Sequence, residues 1–268
     1  MEQSGKAMMR TQIQEEAGSG KEGMVHFGYR LVPAEQKAVL VRKHFDQVAP
    51  KYDFMNTLLS LGAHLLWKRW TVEALGLRTG ELVLDLCGGT GDMALLAAAR
   101  LGPRGRAVIC DINMAMMEKA RKKASRSARG DIVRFLQADA QAVGLKAGVF
   151  DAAIVAFGIR NLTDMEQGFR EIFRLLRPAG RMACLEFSTP TTPWFRWLYD
   201  MYSFHIMPAL GKLLAGSKQA YTYLPESIRV FPGPDKLSRI LEQVGFREVR
   251  YRRVTDGVAC IHLGTKPL

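Results

Sequence analysis

The stretch Val83-Leu84-Asp85-Leu86-Cys87-Gly88-Gly89-Thr90-Gly91-Asp92 decides how this 268-residue chain folds. Four residues with strand character run into a glycine-rich turn, and Met93 to Leu101 follow with helical character. Without side chains, Gly88, Gly89 and Gly91 let a ligand approach the backbone, and the helix start offers unpaired N–H groups to it. A second apolar run, Arg106 to Cys110, ends at Asp111. This lies about 20 residues beyond the turn, where a βαβ unit presents a carboxylate to ribose hydroxyls.

The same turn fits a nicotinamide or flavin nucleotide, because Gly89, Gly91 and Ala94 satisfy G-x-G-x-x-A. Asp85 weighs against that reading, since a carboxylate at the mouth of the turn repels a pyrophosphate and attracts a cation. Asp139 closes a third run, with Ala140 beside it to offer an N–H to an adenine ring. Acids at the ends of three successive strands point to S-adenosylmethionine, whose methionine end is cationic and whose ribose and adenine carry donors.

Outward from this turn, strands are expected at Leu82–Cys87, Arg106–Ile112, Ile132–Ala138, Phe150–Phe157 and Arg181–Phe187, separated by helices at Asp92–Leu101, Asn113 to about Ser127, and Asp164–Leu176. Alternation of this kind gives right-handed crossovers and an α/β, Rossmann-like, mostly parallel sheet of seven strands. Helix Pro234–Val244 and strands Phe246–Val254 and Val258–Gly264 close it with an antiparallel hairpin turning at Thr255-Asp256-Gly257. Residues 1–32 read as a structureless tail, 33–79 as a helical cover, 80–188 as the cofactor-binding core, 189–232 as an aromatic helical insertion, and 233–268 as the closing unit.

No uncharged run approaches the roughly 20 apolar residues that cross a bilayer. Cys87, Cys110, Cys184 and Cys260 are widely spaced, which suggests reduced core thiols in a cytoplasmic protein and no metal site. The net charge of +12 suits nucleic acid, an anionic membrane face or solubility alone. Its densest cluster, Lys119, Arg121, Lys122, Lys123, Arg126 and Arg129, lacks interleaved aromatics and is expected to be a solvated helix face.

From about Leu40 to Pro267 the chain resembles the ubiquinone/menaquinone biosynthesis C-methyltransferases, within the class I adenosylmethionine-dependent methyltransferases. The stretches that carry the likeness are FDQVAPKYDFMN at 45–56, LDLCGGTGD at 84–92, AFGIRN at 156–161, LRPAGRMACLEFS at 176–188 and AYTYLPESIRVFP at 220–232. The resemblance implies methylation of a ring carbon on a polyprenylated quinol, demethylmenaquinol ahead of a benzoquinol, with Thr90, Asp111, Asp139 and Ala140 on the cofactor. Ile112 and Ala156 flank that set; Ala156 stands where the family often has Ser, and Ala179 where a second glycine is usual.

Arg160 follows the fourth core strand and is expected to stabilise a developing phenolate, its guanidinium being charged at any working pH. Its plainer role is a structural ion pair. His64 titrates in a useful range, Asn161 is placed to orient the quinol oxygen, and Tyr221, Tyr223 and Arg229 are expected to line the pocket. Trp194 to Met207 is expected to pack in the core or to give a lid, a homodimer surface or a patch facing the inner side of an anionic membrane. Two rival readings are an RNA methyltransferase, which needs stacking aromatics around a basic pocket, and a non-catalytic adenosylmethionine-binding assembly partner.

Overall fold

The computed structural model describes residues 23–215 and 218–268; the expectations for residues 1–22 lie outside the described residues. The described chain opens with a hairpin, β1 (Met24–Phe27) against β2 (Arg30–Pro33), where a structureless tail to residue 32 was expected. Strands of four residues carry too little periodicity to register in sequence. Tertiary contacts hold this one: Phe27 is buried and stacks on Tyr223 with centroids 4.4 Å apart. Gly28 turns with φ +61°, and a Cβ there would come within 2.2 Å of the Glu226 carboxylate.

The expected cover follows as α1 (Ala34–Val48), α2 (Tyr52–Leu59) and α3 (Ala63–Leu75). Next come β3 (Leu82–Leu86), α4 (Asp92–Leu101), β4 (Arg106–Asp111), α5 (Met114–Ala124), β5 (Val133–Gln137), β6 (Phe150–Ala156), α6 (Met165–Leu175) and β7 (Leu176–Phe187). Helices α7 (Pro193–Met201), α8 (Met207–Ala215) and α9 (Lys218–Val230) form the insertion, and a π-helical turn, Tyr202–Ile206, joins the first two. The chain closes with α10 (Pro234–Val244), β8 (Arg247–Val254) and β9 (Ala259–Thr265).

The sheet order is β5-β4-β3-β6-β7-β9-β8, parallel from β5 to β7, with β9 antiparallel to both its neighbours. The order reverses between β3 and β6, so the crevice for a ligand opens at the carboxyl ends of those strands. Alternation along β3 sends Val83 and Asp85 to one face and Leu84 and Leu86 to the other. The first face packs on α3, α4 and α5 through Val72, Ala94, Ala97 and Ala120, the second on α6 and α10 through Phe169, Ile172, Leu237 and Leu241.

Strand β7 starts at Leu176, five residues before the expected Arg181, because the chain's end pairs with this stretch. Lys266 donates its backbone N–H to the Gly180 carbonyl at 2.8 Å, and Ala179 donates to Lys266 at 3.0 Å. Ala179 sits at φ +58°, the left-handed region where glycine is at ease, so this alanine costs about 1 kcal/mol. Cys87, Cys110, Cys184 and Cys260 are all free thiols. Among the described residues no cluster of His, Cys, Asp or Glu could hold a metal ion, and no helix is long and apolar enough to cross a membrane.

Candidate active site

The turn after β3 is held by its own backbone demands. Gly91 adopts φ +82°, and a Cβ there would meet Ile109 at 2.8 Å and Ala120 at 3.1 Å, so α4 reaches the sheet only with glycine in place. A Cβ on Gly88 would stand 2.9 Å from the Asp85 carboxyl carbon, and Gly89 turns with φ +53°. Asp85 is 1% exposed. Its Oδ2 accepts the Ala94 N–H at 2.9 Å and so caps α4, while its Oδ1 is buried with no partner. Burial above all, with Asp111 adding, pushes the Asp85 carboxyl up to about 7.

Asp111, at the end of β4, ties the turn down by accepting the Gly89 N–H and the Asn113 N–H, each at 2.8 Å. Burial raises its pKa against those two bonds. Asp139 is exposed and accepts the Gln141 N–H at 2.8 Å, closing a strand-end turn; Ala140 beside it is buried, and Ile112 is exposed.

A cleft of about 30 Å³ opens between the turn and the cover, lined by Asp85, Gly88, Gly89, Thr90, Ala156 and, from α2, Tyr52. Gly91, Asp111, Ile112, Asp139 and Ala140 stand outside that lining. A chain of charges fastens the cover here. The Thr90 hydroxyl donates to Asp53 Oδ1 at 2.7 Å, Lys123 pairs with Asp53 at 2.7 Å and Asp92 at 2.6 Å, and Lys68 pairs with Asp92 at 2.7 Å. These two lysines hold the Asp92 carboxyl down at about 2 against its burial. The basic cluster on α5 is therefore not wholly the solvated face expected, since Lys123 joins this network and Arg121 lies over the Phe135 ring at 4.5 Å.

Through Tyr52, Lys68 and Phe157, which line both, the cleft adjoins a larger cavity of about 440 Å³ walled by α1, α2, α3, α7, α8 and α9. Arg160 lines it from the turn after β6. Its Nη1 donates to Glu186 Oε2 at 2.8 Å and to the Phe157 carbonyl at 2.5 Å, and its Cζ lies 5.3 Å from the Phe187 ring centroid. Glu186 is 1% exposed, and burial raises its pKa against the pull of Arg160. The structural ion pair and the cavity position thus both hold for Arg160.

Asn161 and Tyr223 come together as well. The Tyr223 hydroxyl donates to Asn161 Oδ1 at 2.9 Å, the Asn161 amide donates to the Phe157 carbonyl at 3.3 Å, and both residues line the cavity with Tyr221. Burial pushes the Tyr223 and Tyr221 phenols up to about 12. Arg229 is not part of this wall; it pairs with Asp200 and lies over the Tyr199 and Phe204 rings, clamping α9 to the segment from α7 to the π turn. Its charge faces a carboxylate and two rings of the insertion, so it acts on the wall from behind.

His64, on α3, lines the cavity and is 4% exposed, with Nδ1 2.7 Å from Ser60 Oγ. Burial first, then Lys68, lowers its pKa to about 4. Residue-by-residue reading missed His44, Asp53, Lys68 and Glu186. His44 lines the cavity beside Tyr223, its pKa lowered to about 4 by burial and by Arg160. Asp53 lies inside the FDQVAPKYDFMN stretch, which was the available signal, and Glu186 inside LRPAGRMACLEFS.

A buried carboxylate oxygen without a partner, beside a backbone cradle that a Cβ would fill, fits the ammonium end of S-adenosylmethionine. Fold and site together define a class I adenosylmethionine-dependent methyltransferase. Residues 31–266 match the model of the ubiE/COQ5 methyltransferase family, and the chain belongs to that family, as an enzyme that transfers methyl from S-adenosylmethionine to carbon. It is 44% identical over 241 residues to the ubiquinone/menaquinone biosynthesis C-methyltransferase UbiE of Hahella chejuensis, covering 90% of this chain and 97% of that one. To the protein of the same description in Pseudomonas fluorescens it is 43% identical over 250 residues, covering 93% and 98%. Solved structures share the fold: a SAM-dependent methyltransferase from Aquifex aeolicus matches with TM-score 0.53 at 17% identity, over 74% of this chain and 88% of that one. The [4+2]-cyclase SpnF matches with TM-score 0.62 at 16% identity, over 85% and 95%.

Proposed function

We propose that the acceptor is a polyprenylated quinol, demethylmenaquinol in the first place, and that the protein meets it at a membrane surface. One observation carries this: a cavity of about 440 Å³, walled by aromatic and aliphatic side chains, shares a wall with the cofactor cleft. Its two strongly basic members, Arg160 and Lys68, are each already paired with an acid, which suits an uncharged ring and not a nucleic-acid backbone. The relatives' descriptions name both the ubiquinone and the menaquinone pathway.

In this reading Asp85 takes the cofactor's ammonium, Asp111 its ribose hydroxyls through lone pairs left over from its two backbone bonds, and Asp139 with Ala140 its adenine. When bound, the cofactor supplies an electrophilic methyl group on a sulfonium. The chain's task is to hold a ring carbon in line with it, which is worth on the order of 7–11 kcal/mol in favourable cases, and to meet charge developing on the quinol oxygen. Arg160 meets that charge while Glu186 and the Phe157 carbonyl fix its guanidinium, and Asn161 and Tyr223 orient the oxygen.

The mouth of the cavity supports the membrane part. Leu61, 90% exposed, and Leu198, Met201 and Ile206 line the cavity while standing in solvent. Trp194 and Trp197, on α7, are 69% and 66% exposed, the placement expected of side chains that sit among lipid headgroups. Two measurements test the proposal. Cells lacking the protein are expected to accumulate a demethylated naphthoquinone identifiable by mass, and the purified protein is expected to methylate the reduced form of that precursor. Accumulation of a benzoquinone precursor instead would move the ring to the ubiquinone pathway, and methyl incorporation into RNA alone would reject the quinol.

A further inference from the structure

Resting on the quinol reading, we propose that His64 is the proton acceptor for the reacting quinol hydroxyl, and that Ser60 is the residue that keeps its Nε2 lone pair free to accept. The argument starts from one hydrogen atom. Ser60 Oγ lies 2.7 Å from the Asn56 carbonyl and 2.7 Å from His64 Nδ1. A carbonyl only accepts, so at that distance the serine hydrogen points at Asn56; any other orientation sets two oxygens lone pair to lone pair. Ser60 Oγ then faces His64 as an acceptor, a role it also has for the His64 backbone N–H at 3.4 Å. Nδ1 therefore carries the ring proton, and in a neutral imidazole the lone pair falls to Nε2.

The ring stays neutral because of what surrounds it. Within its own helix Lys68 opposes a positive charge on His64, and burial opposes it more. Asp53 on α2, Asp92 on α4 and the Asn56 carbonyl pull the other way and do not prevail. Both acids are engaged with Lys123, and Asp92 with Lys68 too. A base this weak suits this proton. The ring carbon bonds to the methyl group with a pair from the quinol π system as the methyl–sulfur bond breaks and leaves its pair on sulfur. As the ring gives up that pair the hydroxyl grows more acidic, so in the same step its proton passes to Nε2 and the O–H pair completes a C=O bond, with Arg160 meeting the negative charge that passes through the oxygen. Loss of the ring C–H proton to water then restores aromaticity, the oxygen recovers a proton from His64, and one proton is released overall.

His64 is thus a catalytic residue and Ser60 a positioning residue, and two readouts separate them from a merely structural role. Imidazole ¹⁵N shifts of the unliganded wild-type protein are expected to report the Nδ1–H form of His64, and Ser60→Ala a mixture of both forms; an Nε2–H form in wild type overturns the proposal. In single turnover with a reduced demethylated quinone, His64→Asn keeps a donor for Ser60 but has no Nε2. Its rate is expected to fall roughly 10²- to 10⁴-fold, and Ser60→Ala roughly 10- to 100-fold. Adenosylmethionine affinity should stay within about twofold in both, and Ser60→Thr, which keeps the hydroxyl, should recover most of the rate. Undiminished turnover in His64→Asn overturns this proposal alone, whereas a wild-type protein inert toward every reduced quinone overturns the quinol reading and this proposal with it.

Discussion

The two adjoining hollows of this enzyme differ in how each is kept. The small cleft, of about 30 Å³, is a polar site whose charges are answered from within, by the Asp53, Thr90, Lys123, Asp92 and Lys68 network that fastens the cover to the glycine turn. The large cavity, of about 440 Å³, is propped by aromatic and aliphatic side chains from six helices, and its cation is fixed from behind by Glu186. One site is latched and the other is propped.

The propped site is expected to break hardest. Arg160→Ala leaves the Glu186 carboxylate buried and alone, which destabilises by about 3–5 kcal/mol, and removes the cation proposed to face the quinol oxygen, lowering turnover by roughly 10²- to 10³-fold. Pairing Arg160→Met with Glu186→Gln separates the two effects. Thermal unfolding of the double variant should return close to wild type while turnover stays low. Recovery of turnover along with stability would reduce Arg160 to a structural residue.

On the latched side, Asp111→Ala removes the proposed ribose contact and also frees the Gly89 and Asn113 N–H groups it holds. Charged hydrogen bonds of this kind are each worth about 1.5–3 kcal/mol, so calorimetry should show adenosylmethionine binding weakened by roughly 10- to 150-fold. Quinol binding should be untouched. A variant that weakened both would show that the two hollows are energetically one.

The contrast also explains what could be read in advance. The glycine turn was legible because such turns and strand-end acids are local: Asp85, Gly88, Gly89, Gly91 and Asp111 lie within 27 residues of one another, and Asp85 and Asp111 hold the turn and helix start by hydrogen bonds. The seven-stranded sheet followed from alternating periodicity, since period is a property of short windows. The cavity side was legible residue by residue but not in its convergence: Arg160, Asn161, His64, Tyr221 and Tyr223 line it as expected, while His44 and Lys68 escaped. His44, His64, Arg160 and Tyr223 meet only because α1, α3, the turn after β6 and α9 converge, a matter of tertiary packing that no window contains. Arg229 shows the cost: near the cavity in sequence terms, it faces Asp200 and the rings behind the wall. The β1–β2 hairpin escaped for the same reason, being held by Tyr223 nearly 200 residues away.

Asp85 gives a pH test confined to the latched side. With its carboxyl raised to about 7, it is mostly protonated at pH 6 and mostly charged at pH 8. A cationic ligand needs the charged form, so adenosylmethionine affinity should rise about tenfold between those values, with proton release on binding at the lower one. The fold's own stability runs oppositely. The unfolded carboxyl titrates near 4 and sheds its proton first, so the unliganded protein loses stability as pH rises from about 4 to about 7. In Asp85→Asn both slopes should flatten, and a persisting slope would move the titration elsewhere.

The smallest effect is expected at the mouth of the propped cavity, where the walls meet solvent. Trp194→Ser with Trp197→Ser removes two exposed rings that touch neither Arg160 nor the glycine turn, so short-tailed quinols in solution should be methylated at the wild-type rate. For a long-tailed quinol carried in vesicles of anionic lipid, turnover should fall by roughly threefold to fivefold, and sedimentation with those vesicles should fall with it. The difference between the two substrates is the informative quantity. An equal loss on both would mean that the tryptophans brace α7 against the cavity, and no loss on either would place the membrane-facing side of the enzyme elsewhere.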